Sequence, residues 1–338
     1  SWFGTMELPS LVKALGVDYR KELLGERRIS TPSHTAFLKI AEGCDRPCSF
    51  CAIPLMRGGH RSVPVVDLLN EAQHLVQGGV RELVLIAQDL TWYGLDRTGQ
   101  RELAHLLDRL SAESGAEWIR LQYAYPGQFP LDILPLIRDR KNLCLYLDMP
   151  LQHAADGVLK RMRRGISARA TDRLVRDIRE AVPGIHLRTT MMVGFPGETE
   201  SEFQELCDFV ALHRFERLGV FTYSHEENTS AYLLNDDVPA ETKQERADTL
   251  MELQQGISLE LNQAKVGQDF TVLLDRQESS HWVGRTEFDS PEVDNEVLIP
   301  TQGARKDWKA GSMVKVRVTR AEEFDLVAHA IPDSSTTL

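Results

Sequence analysis

An alternation of short apolar runs with amphipathic stretches, repeated six times between residues 36 and 223, constrains the fold more than any other feature of the chain. The apolar runs are 36–41, 83–87, 118–123, 143–149, 186–193 and 218–223, and each reads as a buried strand. Helical patterns lie between them. Pro64 opens one to about Gln77, with Val66, Leu69, Ala72 and Val76 on one face, and Gly78-Gly79 stops it. Others run over 102–113, 131–138, 156–163 and 168–182, and Thr199 with Glu202 makes a capping box for a helix to His213. Strands that alternate with helices pair in parallel through right-handed crossovers. Six units are too few to close the usual eight-stranded barrel, so the expected fold class is α/β, a partial (β/α)6 barrel. In such barrels the chemistry sits at the C-terminal ends of the strands.

A second unit follows. Residues 240–265 read as a long, highly charged helix, and after Gly267 the period changes. Short alternating runs at 270–274, 282–285, 297–299, 314–319 and 326–330, parted by turn residues, predict a small antiparallel β-barrel. The chain of 338 residues therefore divides into a lead-in and linker (1–33), the α/β domain (34–265), the small barrel (266–333) and a tail (334–338). It contains no run of 18 apolar residues, so no transmembrane helix is expected. The opening SWFGTMELPSLVKALG lacks a basic region followed by an apolar core, so no signal peptide is expected either.

Three of the five cysteines crowd into eight residues just after the first strand, in EGCDRPCSFCAIP. Cys44, Cys48 and Cys51 have the spacing C-x3-C-x2-C. Cys144 and Cys207 lie far off, on an apolar strand and an amphipathic helix, and read as core. A secreted disulfide framework wants even, spread cysteines, so a metal site in a reducing cytoplasm is expected instead. Thiolates suit iron–sulfur clusters or zinc. Three of them leave one iron of a four-iron cluster free, as catalytic zinc keeps an open position. An electron carrier would want a fourth cysteine in a C-x2-C-x2-C-x3-C run. A structural zinc site would want a fourth ligand, for which His60 is available.

C-x3-C-x2-C with Phe50 before the last cysteine resembles the radical S-adenosylmethionine (SAM) superfamily. LKIAEGCDRPCSFCAIPLMRGGHRS is similar to its methylthiotransferases. QDLTWYG (88–94), YLDMPLQHA (146–154) and VGFPGETE (193–200) resemble the branch that modifies an aspartate of small-subunit ribosomal protein twelve. The resemblance spans nearly all of 34–333, and its terminal barrel resembles a TRAM domain. It implies a [4Fe-4S] cluster on Cys44, Cys48 and Cys51, whose open iron is chelated by the amino-acid end of SAM. Reductive cleavage of SAM would give a 5′-deoxyadenosyl radical that takes a hydrogen from the β-carbon of the aspartate. A second [4Fe-4S] cluster, in an N-terminal domain of which 1–33 would be the remnant, would supply the sulfur, and a second SAM the methyl group. A flavodoxin or ferredoxin would be the electron donor.

Other residues are candidates by position. Phe50 would support the adenine or pack the loop. Gln88 and Asp89 end the second strand, and Gln152 and His153 follow the fourth. Gln88 and Gln152 are expected to contact the cofactor, His153 less so, because a lone histidine is more often simply satisfied. Arg188 sits in an apolar strand and needs an anion, either the SAM carboxylate or a structural Asp or Glu. Gly194, Gly197 and Glu198 form a strand-to-helix turn where backbone can approach a ligand, and Met191 and Met192 read as core or cleft lining.

The sister branch of the family modifies transfer RNA, so charge matters. The net charge is −11, and residues 266–338 hold eight Lys or Arg against thirteen Asp or Glu. Phosphate binding needs a cationic surface, and an acidic barrel better matches a basic protein. The strip Arg305, Lys306, Lys309 keeps RNA contact open but disfavoured. The readings carried forward are a ribosomal-protein methylthiotransferase, a transfer-RNA adenosine methylthiotransferase, and a non-enzymatic iron–sulfur or zinc module.

Overall fold

The structure is a computed structural model that describes residues 8–16, 29–302 and 304–331. The expected tail at 334–338 and most of the expected lead-in lie outside the described residues. Within the lead-in, Leu8–Ala14 forms a short helix.

Six strands make one sheet in sequence order: β1 (Thr35–Lys39), β2 (Glu82–Ile86), β3 (Trp118–Leu121), β4 (Leu143–Asp148), β5 (His186–Val193) and β6 (Arg217–Thr222). Every neighbouring pair is parallel. The sheet does not close, so the partial barrel expected from the alternation is what forms. Its helices bury residues three and four apart: Leu68, Leu69, Ala72 and Leu75 from Val65–Gln77, and Leu103, Leu106, Leu107 and Leu110 from Leu103–Glu113. The capping box at Thr199 and Glu202 is present and starts Glu200–His213. The pattern at 131–138 splits into a 3-10 turn, Leu131–Ile133, and a helix, Leu134–Asp139. Pro135 lacks an N–H and fits only a first helical turn, which places the start of the helix there. Cys207 joins the main core, and Cys144 is buried with Trp118, Tyr146 and Leu273.

The long helix Ala240–Gln263 leads into the second barrel: β7 (Asp269–Gln277), β8 (His281–Thr286), β9 (Val297–Pro300), β10 (Met313–Ala321) and β11 (Leu326–Ala330). It closes in the order β8-β9-β11-β10-β7. The antiparallel expectation needs one correction, because β9 and β11 run parallel. An odd number of strands cannot alternate direction all the way round a closed ring.

This barrel plugs the N-terminal mouth of the sheet. Glu82, the first residue of β2, is fully buried and accepts from Arg120 Nε and from Arg285 Nη2, each at 2.8 Å. Burial opposes its charge, yet the two guanidiniums hold its carboxyl below the ordinary value. Arg285 also binds Asp275, Arg217 pairs with Asp289, and Tyr146 Oη donates to Asp294 at 2.7 Å. The second barrel thus turns Asp275, Asp289 and Asp294 inward, and its acidic excess is smaller on the outer surface than the sequence count implies. No helix among the described residues is long and apolar enough to cross a membrane.

Removing one member of a buried ion cluster leaves charge without compensation. Glu82→Gln is expected to destabilise the chain by about 3–5 kcal/mol, seen as a lower urea midpoint at unchanged slope. A loss below about 1 kcal/mol would mean that Arg120 finds another partner.

Candidate cluster site

The three cysteines leave the C-terminal end of β1 on a loop that closes on itself. Ala41–Glu42 pairs with Arg61–Ser62, and Cys44 N donates to Gly58 O at 3.1 Å. Gly43 has φ +78°, and a Cβ there would sit 2.2 Å from Gly59 O. The base of the loop therefore has room for glycine alone. Ser49 ties the tip down: its N donates to Met162 O at 3.0 Å, its Oγ to Arg161 O at 2.8 Å, and its carbonyl accepts from Ala231 N at 2.7 Å.

Arg46 fixes the middle. Its guanidinium lies 4.2 Å from the Trp92 ring centroid and 4.0 Å from that of Tyr125. Its Nε donates to Asp89 Oδ2 at 2.7 Å, and Nη2 to Thr91 Oγ1 at 3.0 Å. Asp89 also caps the turn Leu90–Trp92 by accepting from Thr91 N. The QDLTWYG segment thus holds the cysteine loop through Asp89 and Trp92, a function that only the pairing with Arg46 reveals.

Cys44, Cys48 and Cys51 line one open cavity of about 500 Å³ with Pro47, Pro54 and Leu55. A second hollow of about 220 Å³ joins Cys44 and Cys51 to Gln88, Ala87 and Tyr123. Burial pushes the Cys44 thiol up to about 11 and raises that of Cys51. Hydrogen-bond donors nevertheless point at sulfur: Arg46 N at 3.4 Å from Cys44 Sγ, and Arg164 Nη1 at 3.2 Å from Cys48 Sγ. One buried and two half-buried thiols that receive such donors suit thiolates on a soft cationic group. Among the described residues no three His, Cys, Asp or Glu side chains converge on a point that one ion would occupy. A zinc ion needs its ligands about 2.0–2.3 Å away. His60 faces elsewhere, bonded to Ser62 Oγ and edge-on to Trp92.

The other candidates separate into two groups. Gln88 reaches the hollow: its Nε2 donates to Glu42 Oε1 at 3.3 Å, while Oε1 is buried without a partner. Gln152 stands at a strand end with φ +75°, held by bonds to Thr190 O and from Met192 N. Tyr123, which sequence reasoning passed over, also has positive φ, +81°, beside Cys51. Such backbone costs about 1–3 kcal/mol and gathers at functional sites. Phe50 packs on Ala155, Met162, Phe195 and Tyr223, which favours loop packing for it.

Arg188 is the third residue of β5 and binds Asp148 at 3.1 Å and Asp294 at 3.2 Å. Of the two kinds of partner expected for it, the structure pairs it with structural carboxylates. Glu198 is likewise committed: Oε1 to Arg246 at 2.9 Å, Oε2 to Phe195 N at 3.2 Å. Gly194 makes room for the Lys243 side chain, whose Cγ would lie 2.2 Å from an added Cβ. His153 is fully buried; burial pushes its pKa down to about 3, and its Nδ1 accepts from Ala155 N at 3.0 Å.

Two glycines separate conformational strain from collision. Gly43→Ala adds both; Gly58→Ala, at φ +73° with nothing within 4 Å, adds strain alone. Iron bound after anaerobic reconstitution is expected to fall about tenfold or more in Gly43→Ala, at 1–3 kcal/mol for the displaced loop, and less in Gly58→Ala. Equal iron in the two variants would show that the close approach to Gly59 does not shape the loop.

Comparison with known proteins agrees with this geometry. The Radical SAM superfamily model matches residues 38–210, and the TRAM domain model residues 266–331. A ribosomal protein uS12 methylthiotransferase RimO from Flavobacterium johnsoniae is 58% identical over 325 residues, 96% of this chain and 74% of that protein. Its counterpart in Porphyromonas gingivalis is 52% identical over 332 residues, 98% of this chain and 76% of that protein. Among solved structures, coproporphyrinogen III oxidase (HemN) from Escherichia coli shares the fold at TM-score 0.50 and 16% identity, over 77% of this chain and 66% of that one. With a cysteine loop at the C-terminal end of a parallel sheet, a TRAM barrel behind it and more than half its residues shared with relatives of that name, the chain belongs to the RimO family of radical SAM methylthiotransferases.

Proposed function

We propose that the chain is a radical SAM methylthiotransferase that adds a methylthio group to the β-carbon of an aspartate in ribosomal protein uS12. The observation that carries this reading is the meeting of three thiols at one cavity with sulfur-directed donors. Cys44, Cys48 and Cys51 would hold a [4Fe-4S] cluster with one open iron, and SAM would bind beside it. When reduced, that cluster would supply the electron that cleaves the SAM sulfonium and so start radical chemistry at an unactivated carbon.

The remaining residues position and shield. Arg46 and Ser49 hold the loop so that the thiols stay turned to one side. Gln88, with a buried Oε1 still unpartnered, is assigned a polar contact to SAM, and Gln152 a second one from the next strand end but one. Phe50 excludes water from below the loop by closing on Phe195 and Tyr223. About a quarter of each relative lies outside the matched region, and the second cluster that would supply sulfur is assigned to that additional length. A cytoplasmic setting with a flavodoxin or ferredoxin as reductant fits free thiols that must meet a low-potential donor.

The protein substrate is favoured over transfer RNA by the relatives' name and by a second barrel that is acidic overall. With dithionite and SAM, the reconstituted chain is expected to release 5′-deoxyadenosine, more so with uS12 present. Cys44→Ala, Cys48→Ala and Cys51→Ala should each bring this to background. Stimulation by transfer RNA instead of uS12, or a methylthiolated adenosine with uS12 unchanged, would overturn the substrate assignment. Undiminished release from any of the three variants would overturn the cluster assignment.

A further inference from the structure

Six arginines are buried among the described residues: Arg46, Arg120, Arg164, Arg217, Arg246 and Arg285. Five of them pair with a carboxylate, respectively Asp89, Glu82, Asp289, Glu198 and again Glu82 for all but Arg164. Arg164 is 3% exposed, yet its contacts are neutral groups. Nη1 points at Cys48 Sγ at 3.2 Å, Nη2 donates to Pro150 O at 2.5 Å, and the plane lies over the Tyr125 ring, 4.4 Å from its centroid. Its Nε has no partner. A buried guanidinium without an anion costs several kcal/mol, so this placement makes physical sense only if an anion arrives.

We propose that Arg164 is a positioning residue for the iron–sulfur cluster: it holds the Cys48 thiolate by a charge-assisted hydrogen bond and raises the reduction potential of the cluster. The inference rests on the cluster reading above. A thiolate on iron is the one anion that the geometry delivers to Nη1. Reduction adds a negative charge to the cluster, and a fixed cation at a ligand sulfur stabilises that state more than the oxidised one. Low solvent access keeps the interaction from being screened. Arg46 does not do the same, because Asp89 already neutralises it. The turn that carries Arg164 is rigid enough to aim it: Arg164 N donates to Leu159 O at 3.0 Å, and Arg163 takes φ +55°.

The test is the midpoint potential of the reconstituted cluster in the full chain, followed by electron paramagnetic resonance during redox titration, with iron and sulfide counted in each sample. Arg164→Met and Arg164→Gln are expected to lower the equilibrium constant for reduction about tenfold, a shift of about 59 mV to more negative potential for one electron. Arg164→Lys, which keeps the charge, should fall closer to the parent. Fully loaded Met and Gln variants with the parent's potential would overturn the proposal. If the neutral variants lose the cluster, the Lys variant decides: a retained cluster supports the role of charge, and its loss there too leaves Arg164 a packing residue. A parent chain that binds no four-iron cluster would instead sink the cluster reading itself.

Discussion

A guanidinium clamped between two aromatic rings is what gives the cysteine loop a shape. Residues 44–51 carry two polar charges, a proline and three thiols, and nothing in their local propensity favours one conformation. Arg46 supplies the missing order by filling the space between Trp92 and Tyr125 while Asp89 takes its charge. A desolvated cation over an aromatic face is worth about 2 kcal/mol, and here there are two faces and a buried ion pair. The partners come from the ends of β2 and β3, so the loop is positioned by the sheet rather than by itself. Ser49, bonded to the turn after Asp156–Arg161 and to Ala231, extends the same logic to the far side.

The two ends of the sheet have opposite chemistry. The C-terminal end keeps an open cavity, soft sulfur and polar groups with valences to spare. The N-terminal end is filled by the second barrel, and charges there are matched, Glu82 with Arg120 and Arg285; further along the strands Arg188 joins Asp148, the last residue of β4, to Asp294 of the second barrel. Buried pairs of this kind add little net stability over apolar packing, but they penalise every misaligned docking of the two barrels.

The fold was legible because its signals are local. Strand and helix periods, the Pro64 start, the Gly78-Gly79 stop and the Thr199 capping box are each set by a few adjacent residues; the start, the stop and the cap appear where the pattern placed them, while the helix at 131–138 splits and Val66, expected on the buried face, is exposed. The cysteine triplet was legible for the same reason. Arg188 and Glu198 were not, because the identity of a charge's partner is a long-range fact. Asp294 lies 106 residues from Arg188, and Arg246 lies 48 from Glu198. The acidic count of the second barrel overstates its outer surface in the same way, since Asp275, Asp289 and Asp294 spend their charge at the interface, although the barrel remains acidic overall. Strand direction in that barrel followed from a property of the whole ring, its odd number, which no single strand records.

Tyr125 brings these levels together. Arg46 lies 4.0 Å from its centroid and Arg164 4.4 Å, so one phenol ring orders two guanidiniums next to three thiols. Like charges this close repel, and between side chains this buried the repulsion is poorly screened. Asp89 relieves half of it by pairing with Arg46. The other half remains, aimed at Cys48. The protein part of the site is therefore electrostatically incomplete in the positive sense, and a group that brings thiolate character to Cys48 completes it. That is the same demand that the buried, reluctant thiol of Cys44 makes from the opposite side: a soft cation to hold its sulfur as an anion.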